Sequence, residues 1–264
     1  MPNRYTVEDG CRYGWGSLTG DIREERKSYF AKYLVGDTVL DVGCGGGGYV
    51  EYVSRFNYQV VGLERNEQFL QVARSGSPKG TYVQGDAEAL PFRDRAFDST
   101  YCFDLLEHVN DVIAIRELTR VTKDRVIVAV PKEDDLLFEF GLTFGHYIDG
   151  THLRYYTEQS LGELIASAPG NHSFTIFSDI EAPIKGFVPE VLDRNGAYGF
   201  EVEFMPSIIL RCAKYALSDV RRLQRPNMKT CLDKARRATF LKMINSATFN
   251  PIHSNLVAVI ELNA

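Results

Sequence analysis

Three acids stand at the ends of three apolar runs: Asp41 in "VLDVGCGGGG", Glu64 in "QVVGLE" and Asp86 in "TYVQGD". The glycines Gly43, Gly45, Gly46, Gly47 and Gly48 follow the first acid. Gly43-x-Gly45-x-x-Gly48 satisfies the dinucleotide fingerprint, in which a pyrophosphate rests on a helix N-terminus. Asp41, two residues before the first glycine, opposes an anion there and suits an ammonium or a sulfonium. Glu64 lies where a carboxylate accepts hydrogen bonds from both hydroxyls of a ribose. Asp86 adds an acceptor placed for an adenine amino group. The glycines let the backbone approach such a ligand with no Cβ in the way.

Two further groups carry reactive side chains. In "DLLEHV", Asp104, Glu107 and His108 fall at i, i+3 and i+4, which on a helix turns all three toward one face. The same Asp-x-x-Glu at a helix start also reads as a capping box. In "TFGHYIDGTHLRYYT", His146 and His152 are imidazoles that titrate near neutral pH, beside Arg154, Tyr155 and Tyr156. The structural reading of that segment has Thr157 capping the following helix and Arg154 pairing with an acid.

These residues need elements to position them, and the pattern supplies an alternation. Strands read at Thr38 to Gly43, Gln59 to Glu64, Thr81 to Asp86, Phe97 to Asp104 and Arg125 to Pro131. Helices read between them, at the stretch to about Phe56, at "NEQFLQVARS" and at "LLEHVNDVIAIRELTRV", with "DIREERKSYFAKYL" before them capped by Asp21. Beyond Tyr156 come a helix at "TEQSLGELIASA", a strand at "HSFTIFSDI" and a closing strand at "NLVAVIEL". The fold class is α/β: a doubly wound, mostly parallel Rossmann-like sheet with helices on both faces and a helical insertion before the last strand. The expected organisation is an N-terminal helical lid segment over 1–37, a core over 38–182, a mostly helical substrate-side insertion over 183–250 and a final core strand over 251–264.

Bulk properties exclude several classes. The chain of 264 residues is 44% hydrophobic and 25% charged, an ordinary globular composition. The N-terminus lacks an apolar stretch of signal-peptide length, and no apolar run of about 18 residues could span a bilayer. Five scattered cysteines, never in a Cys-x-x-Cys pair, argue against a disulfide framework or a zinc cluster and fit a cytoplasmic setting. The net charge is −5, yet Arg211 to Lys242 holds ten Lys/Arg against Asp219 and Asp233. An acidic body argues against DNA as a partner, while the basic segment reads as a solvated helical face or as a surface for an anionic or lipid-linked acceptor.

The ordered run "VLDVGCGGG", "VVGLE", "GDAEALPF", "FDSTYCFDLLEHV" and "RVIVAVPKE" resembles the successive motifs of class I S-adenosylmethionine-dependent methyltransferases, over Thr38 to Tyr156. The resemblance implies that Gly43 and Gly45 meet the methionine part of S-adenosylmethionine and that Asp41 faces its amino group. It implies further that Glu64 holds the ribose, Asp86 the adenine amino group, and Ala87 offers a backbone N–H to the ring, with Arg65 and Phe103 also at the cofactor. Ubiquinone-pathway O-methyltransferases carry a similar Leu-Glu-His-Val and can hold a divalent metal, which implies Mg²⁺ on Asp104, Glu107 and His108. Loops after the fifth strand reach over the methyl group in this fold, so His152 and His108 are the catalytic candidates. His146, Arg154, Tyr155 and Tyr156 would face the acceptor, and Tyr13 and Trp15 would close over it from an N-terminal lid. The implied activity is methyl transfer to a small molecule, onto a hydroxyl of a natural-product, quinone-like or sugar-containing acceptor. RNA or protein methylation, and a non-catalytic S-adenosylmethionine-binding module, are the alternatives.

Overall fold

Strand residues that are β-branched or aromatic, with alternate side chains aimed at opposite faces, can bury both faces of a sheet only if helices cover each. A computed structural model, which describes residues 6–8, 10, 15–19, 22–76, 80–133, 146, 149–182 and 252–263, has that arrangement. Seven strands, β1 (Thr38–Val42), β2 (Gln59–Glu64), β3 (Thr81–Gln84), β4 (Phe97–Phe103), β5 (Thr122–Pro131), β6 (His172–Ala182) and β7 (Ile252–Leu262), join one sheet in the order β3-β2-β1-β4-β5-β7-β6. The first five pair in parallel, and β7 runs antiparallel to β5. A bond from the Asn263 N–H to the Asn171 carbonyl sets the end of β7 beside the start of β6. Strand order reverses between β1 and β4, and a ligand crevice opens at the carboxyl ends of the strands at such a point.

Besides a four-residue helical turn at Gly16–Thr19, the described helices are α1 (Glu24–Tyr33), α2 (Gly48–Ser54), α3 (Glu67–Gly76), α4 (Asp111–Val121) and α5 (Glu158–Ala166). Two apolar clusters divide them. Leu40, Val42, Val126, Val128, Leu256 and Ala258 pack with α4 and α5, while Val39, Ile127, Ala129, Val257 and Val259 pack with Phe30 of α1 and with Val50, Val53 and Leu70. Neighbouring strand residues thus alternate between the two clusters, as the period of two requires. At the amino end of β1, Asp98 ties the base of the sheet. Its carboxylate accepts from the N–H groups of Asp37 and Thr38, the Thr38 hydroxyl and the Lys123 ammonium. Burial pushes this carboxyl up, but the bonds from Lys123 and Thr38 outweigh it and hold it below the usual carboxylate range.

The chain divides into two compact units, one of Met1–Lys132, Gly150–Asp179 and Asn255–Ala264, the other of Glu133–Asp149 and Ile180–Ser254. The expected helical insertion over 183–250, and with it the basic segment, lies outside the described residues. No helix among those described is long and apolar enough to cross a membrane.

Three local expectations change. The helix expected directly after β4 is interrupted: Asp104 takes a left-handed φ of 53°, Leu106–His108 form a 3₁₀ turn, and α4 starts only at Asp111. Asn110 caps α4 by accepting from the Ile113 N–H, so Asp104 and Glu107 are not its capping box. The third strand stops at Gln84, and Asp86 sits in the turn beyond, paired across a bridge with Ala89. Helix α1 starts at Glu24 behind Arg23, which makes no side-chain cap, while Asp21 lies outside the described residues.

Candidate functional site

At the carboxyl end of β1 the chain turns sharply at Gly43, whose φ of 82° a side chain would strain and whose added Cβ would meet Leu105 at 3.1 Å. The N–H groups of Gly43 and Cys44 both donate to the Leu63 carbonyl, at 2.8 and 3.0 Å, tying the turn to β2. The adjacent strand then delivers Glu64 to the same place. Its two carboxylate oxygens accept from the Gly45 N–H at 3.2 Å and the Asn66 N–H at 2.8 Å. Asp41 is only 3% exposed and Glu64 equally so. Burial pushes the Asp41 carboxyl up to about 8, against the pull of the nearby Tyr101 hydroxyl and with help from the Glu64 charge. Neither Asp41 Oδ2 nor the Tyr101 hydroxyl completes a hydrogen bond. Glu64 is also raised, by burial, with the Asn66 and Gly45 N–H groups resisting. Two buried carboxyl groups beside a glycine turn, one of them raised far enough to hold its proton near neutral pH until a cation displaces it, favour a cation with hydroxyls nearby over a pyrophosphate.

The remaining residues expected at the cofactor are spread around this pair. Asp86 accepts from the Glu88 N–H at 2.9 Å, and Ala87 is buried beside it. Arg65 follows Glu64 and fixes its own backbone through Gln84, whose amide donates to the Arg65 carbonyl at 3.1 Å. Phe103 is committed to the core: its ring packs on Phe30, Tyr49 and Tyr101, and the Arg26 guanidinium lies 4.7 Å from its centroid.

The triad Asp104, Glu107 and His108 expected to hold Mg²⁺ is not brought together. Asp104 instead accepts from Arg26 Nη2 at 3.1 Å and from the Asn255 side-chain amide at 3.2 Å. Arg26, fully buried, also faces Asp179 at 3.2 Å. Burial raises the Asp104 carboxyl, but the Arg26 charge outweighs it and holds the group below the usual range. Sequence reasoning missed Arg26, although it lies at i−4 to Phe30 on the buried face of α1. A cation at an apolar position of an amphipathic helix was the signal available.

What the structure does assemble is Glu107, His108 and His152, with one ligand atom of each lying within 4.8 Å of the others. The backbone joins the two segments, since the Leu153 N–H donates to the Glu107 carbonyl at 2.8 Å. His108 Nδ1 lies 3.1 Å from the Thr151 hydroxyl. The rings of His108 and His152 meet edge to face at 4.7 Å, with Trp15 at 6.2 Å on one side and Tyr155 at 5.6 Å on the other.

Two residues expected to face the acceptor serve the scaffold instead. Arg154 donates to the Leu106 and Val109 carbonyls at 2.9 and 2.5 Å, and so clamps the 3₁₀ turn. Tyr156 is buried, pairs with Lys132 in a bridge, and donates its hydroxyl to Asp111 at 3.0 Å. Thr157 caps α5, receiving the Ser160 N–H in a capping box. His146 is half-buried in the second unit, and Tyr13 lies outside the described residues.

Residues 40–130 match the Methyltransferase domain family. Over 128 residues the chain is 39% identical to a ubiquinone biosynthesis O-methyltransferase from Vibrio cholerae, covering 43% of this chain and 52% of that protein. A sterol 24-C-methyltransferase from Gibberella zeae is 33% identical over 133 residues, covering 46% of this chain and 34% of that protein. The chain thus spans about half or less of these relatives' lengths. In fold it resembles an S-adenosylmethionine-dependent methyltransferase from Archaeoglobus fulgidus, with a TM-score of 0.59 at 15% identity over 98% of this chain and 100% of that one. The glycine turn between two buried acids, the strand order and the family match converge: residues 40–130 match a methyltransferase domain, on a core with the fold of an S-adenosylmethionine-dependent methyltransferase.

Proposed function

We propose that the protein transfers the methyl group of S-adenosylmethionine to a hydroxyl oxygen of a small-molecule acceptor. The observation that carries the reading is the pair of buried carboxylates, Asp41 and Glu64, flanking the Gly43 turn. Asp41 faces the donor's ammonium, Glu64 grips both ribose hydroxyls, Asp86 takes the adenine amino group, and Ala87 gives the ring a backbone N–H. Arg65 lies along the adenine. The acceptor lies toward His108 and His152, with Tyr155 and Trp15 beside it.

Methyl transfer needs alignment and dryness more than covalent help from the protein. The acceptor oxygen attacks the methyl carbon opposite the sulfur. The carbon–sulfur bond breaks, its electron pair stays on sulfur, and the hydroxyl proton passes to an imidazole, His152 or His108. The acceptor is natural-product, quinone-like or sugar-containing, and its anionic or lipid-linked character is supported by the sequence of 211–242 alone. A cytoplasmic setting fits the scattered cysteines.

The test is turnover. The purified chain with S-adenosylmethionine and a panel of phenols, catechols and sugar hydroxyls should release S-adenosylhomocysteine and a methylated product, and Glu64→Ala should not. Donor binding with no turnover on oxygen, nitrogen or carbon acceptors would make the protein a binding module instead.

A further inference from the structure

We propose that Tyr101 is a positioning residue of the donor site, whose hydroxyl holds the Asp41 carboxylate toward the ammonium of a bound donor. The inference rests on the methyl-transfer reading and adds a residue of β4 to it. Asp41 and Tyr101 are register partners on the parallel strands β1 and β4. Residues so paired project to the same face of a sheet, here the face where Val39 packs with Phe30 of α1. The Tyr101 ring is fully buried there, edge to face with Phe30 at 4.8 Å and flanked by Phe103 at 5.3 Å and Tyr49 at 6.5 Å. Burial, and then the Asp41 charge, push its phenol well above the ordinary range, so it keeps a proton to donate.

Asp41 Oδ2 and this hydroxyl are both sealed from water, and neither completes a hydrogen bond. Unpaired buried polar atoms cost free energy, and a donor left beside an acceptor marks a bond that forms in another state. Neighbouring groups do not compete for the role. The Tyr49 hydroxyl of α2 accepts from the Arg23 N–H, and the Arg26 guanidinium of α1 faces Asp104 and Asp179. The other titratable groups facing Asp41 are Glu64 of β2, whose charge opposes its ionisation, and the thiols of Cys44 and Cys102, which burial keeps protonated. Burial also holds Asp41 protonated near neutral pH. A donor ammonium reverses this. The carboxyl proton leaves to water, one oxygen meets the ammonium, and Oδ2 accepts from Tyr101 in a charge-assisted bond, the stronger kind.

The experiment is calorimetric titration of the full chain and of Tyr101→Phe with two ligands. One is S-adenosylhomocysteine; the other is 5′-methylthioadenosine, which keeps adenine, ribose and sulfur but lacks the amino-acid end. At about pH 6.5, Tyr101→Phe should bind S-adenosylhomocysteine roughly tenfold more weakly, and 5′-methylthioadenosine within about twofold of wild type. The deficit should shrink to about twofold near pH 9, because Asp41 is then ionised before binding and the hydroxyl serves it in both states. A deficit equal for the two ligands, or one constant with pH, would make the hydroxyl merely structural and overturn the proposal. The variant keeps the ring and loses only an unpaired hydroxyl, so without ligand it should melt at the wild-type temperature or above. A fall of more than about 5 °C would mean that the hydroxyl is already engaged, and would also overturn it. Wild type that binds neither ligand overturns the methyl-donor reading itself. Wild type and Tyr101→Phe binding S-adenosylhomocysteine equally overturns only the part given to Tyr101.

Discussion

Asp41 and Glu64 sit at the carboxyl ends of adjacent strands, β1 and β2, and one glycine turn brings them together. Glu107, His108 and His152 sit at the same end of the sheet, but on two loops, one after β4 and one after β5. In the first region the hydrogen-bonded ladder itself sets the geometry, and the acids are almost sealed from water. In the second, position depends on side chains that cross between loops: Arg154 onto the 3₁₀ turn, Thr151 onto His108, and Arg26 from α1 onto Asp104. A site built on strand ends is fixed by the fold. A site built on loops is fixed by its clamps, and substitutions should separate the two.

The largest effect should come from the clamp that holds the end of β4. Arg26→Met leaves the buried Asp179 and the part-exposed Asp104 without their counter-charge, and breaking a buried pair such as Arg26–Asp179 costs about 3–5 kcal/mol. Chemical denaturation should show that loss, and a change below about 1 kcal/mol would mean that the two acids find other partners. In the donor region, Glu64→Ala removes two charge-assisted bonds to a ribose. Affinity for S-adenosylhomocysteine should fall about a hundredfold, near 3 kcal/mol, while the fold persists. Arg154→Met sharpens the contrast. It frees the 3₁₀ turn from two carbonyl contacts and should lower stability by about 2 kcal/mol, with donor affinity changed less than threefold.

How far each region could be read in advance follows the same division. The alternation of strands, the Gly43 turn, Asp41 and Glu64 were legible because strand-end residues announce themselves by local pattern. Asp104 was not, because nothing local says that it adopts φ 53° and turns to an arginine on a helix far back in the sequence. The spacing Asp104, Glu107, His108 suggested a helix face; the left-handed residue and the Asn110 cap removed the helix, and with it the triad. His152 was singled out as a base, but its meeting with Glu107 depends on a hydrogen bond between loops, which no window of sequence contains. Arg154 and Tyr156 looked like substrate contacts because they are polar and lie after β5, yet long-range partners at Leu106, Val109 and Asp111 claim them.

The smallest effect is electrostatic. Burial pushes the Asp41 carboxyl to about 8 from an ordinary 3.8. The folded state therefore binds a proton that the unfolded chain has lost. This contribution to stability is complete below about pH 4 and fades as the pH rises to about 8. A donor ammonium beside the carboxylate reverses the shift, so binding near pH 7 should release up to one proton. The apparent binding enthalpy should then differ between buffers of unlike ionisation enthalpy, and Asp41→Asn should abolish the difference. A buffer-independent enthalpy in wild type would mean that Asp41 does not face the ammonium.

The most direct test of the account is calorimetric titration of the purified full chain with S-adenosylhomocysteine and, separately, with NAD. Saturable binding of S-adenosylhomocysteine alone, weakened by Glu64→Ala, is the predicted result. Binding of NAD in its place, or of neither ligand, would contradict the reading of the two buried acids as a methyl-donor site.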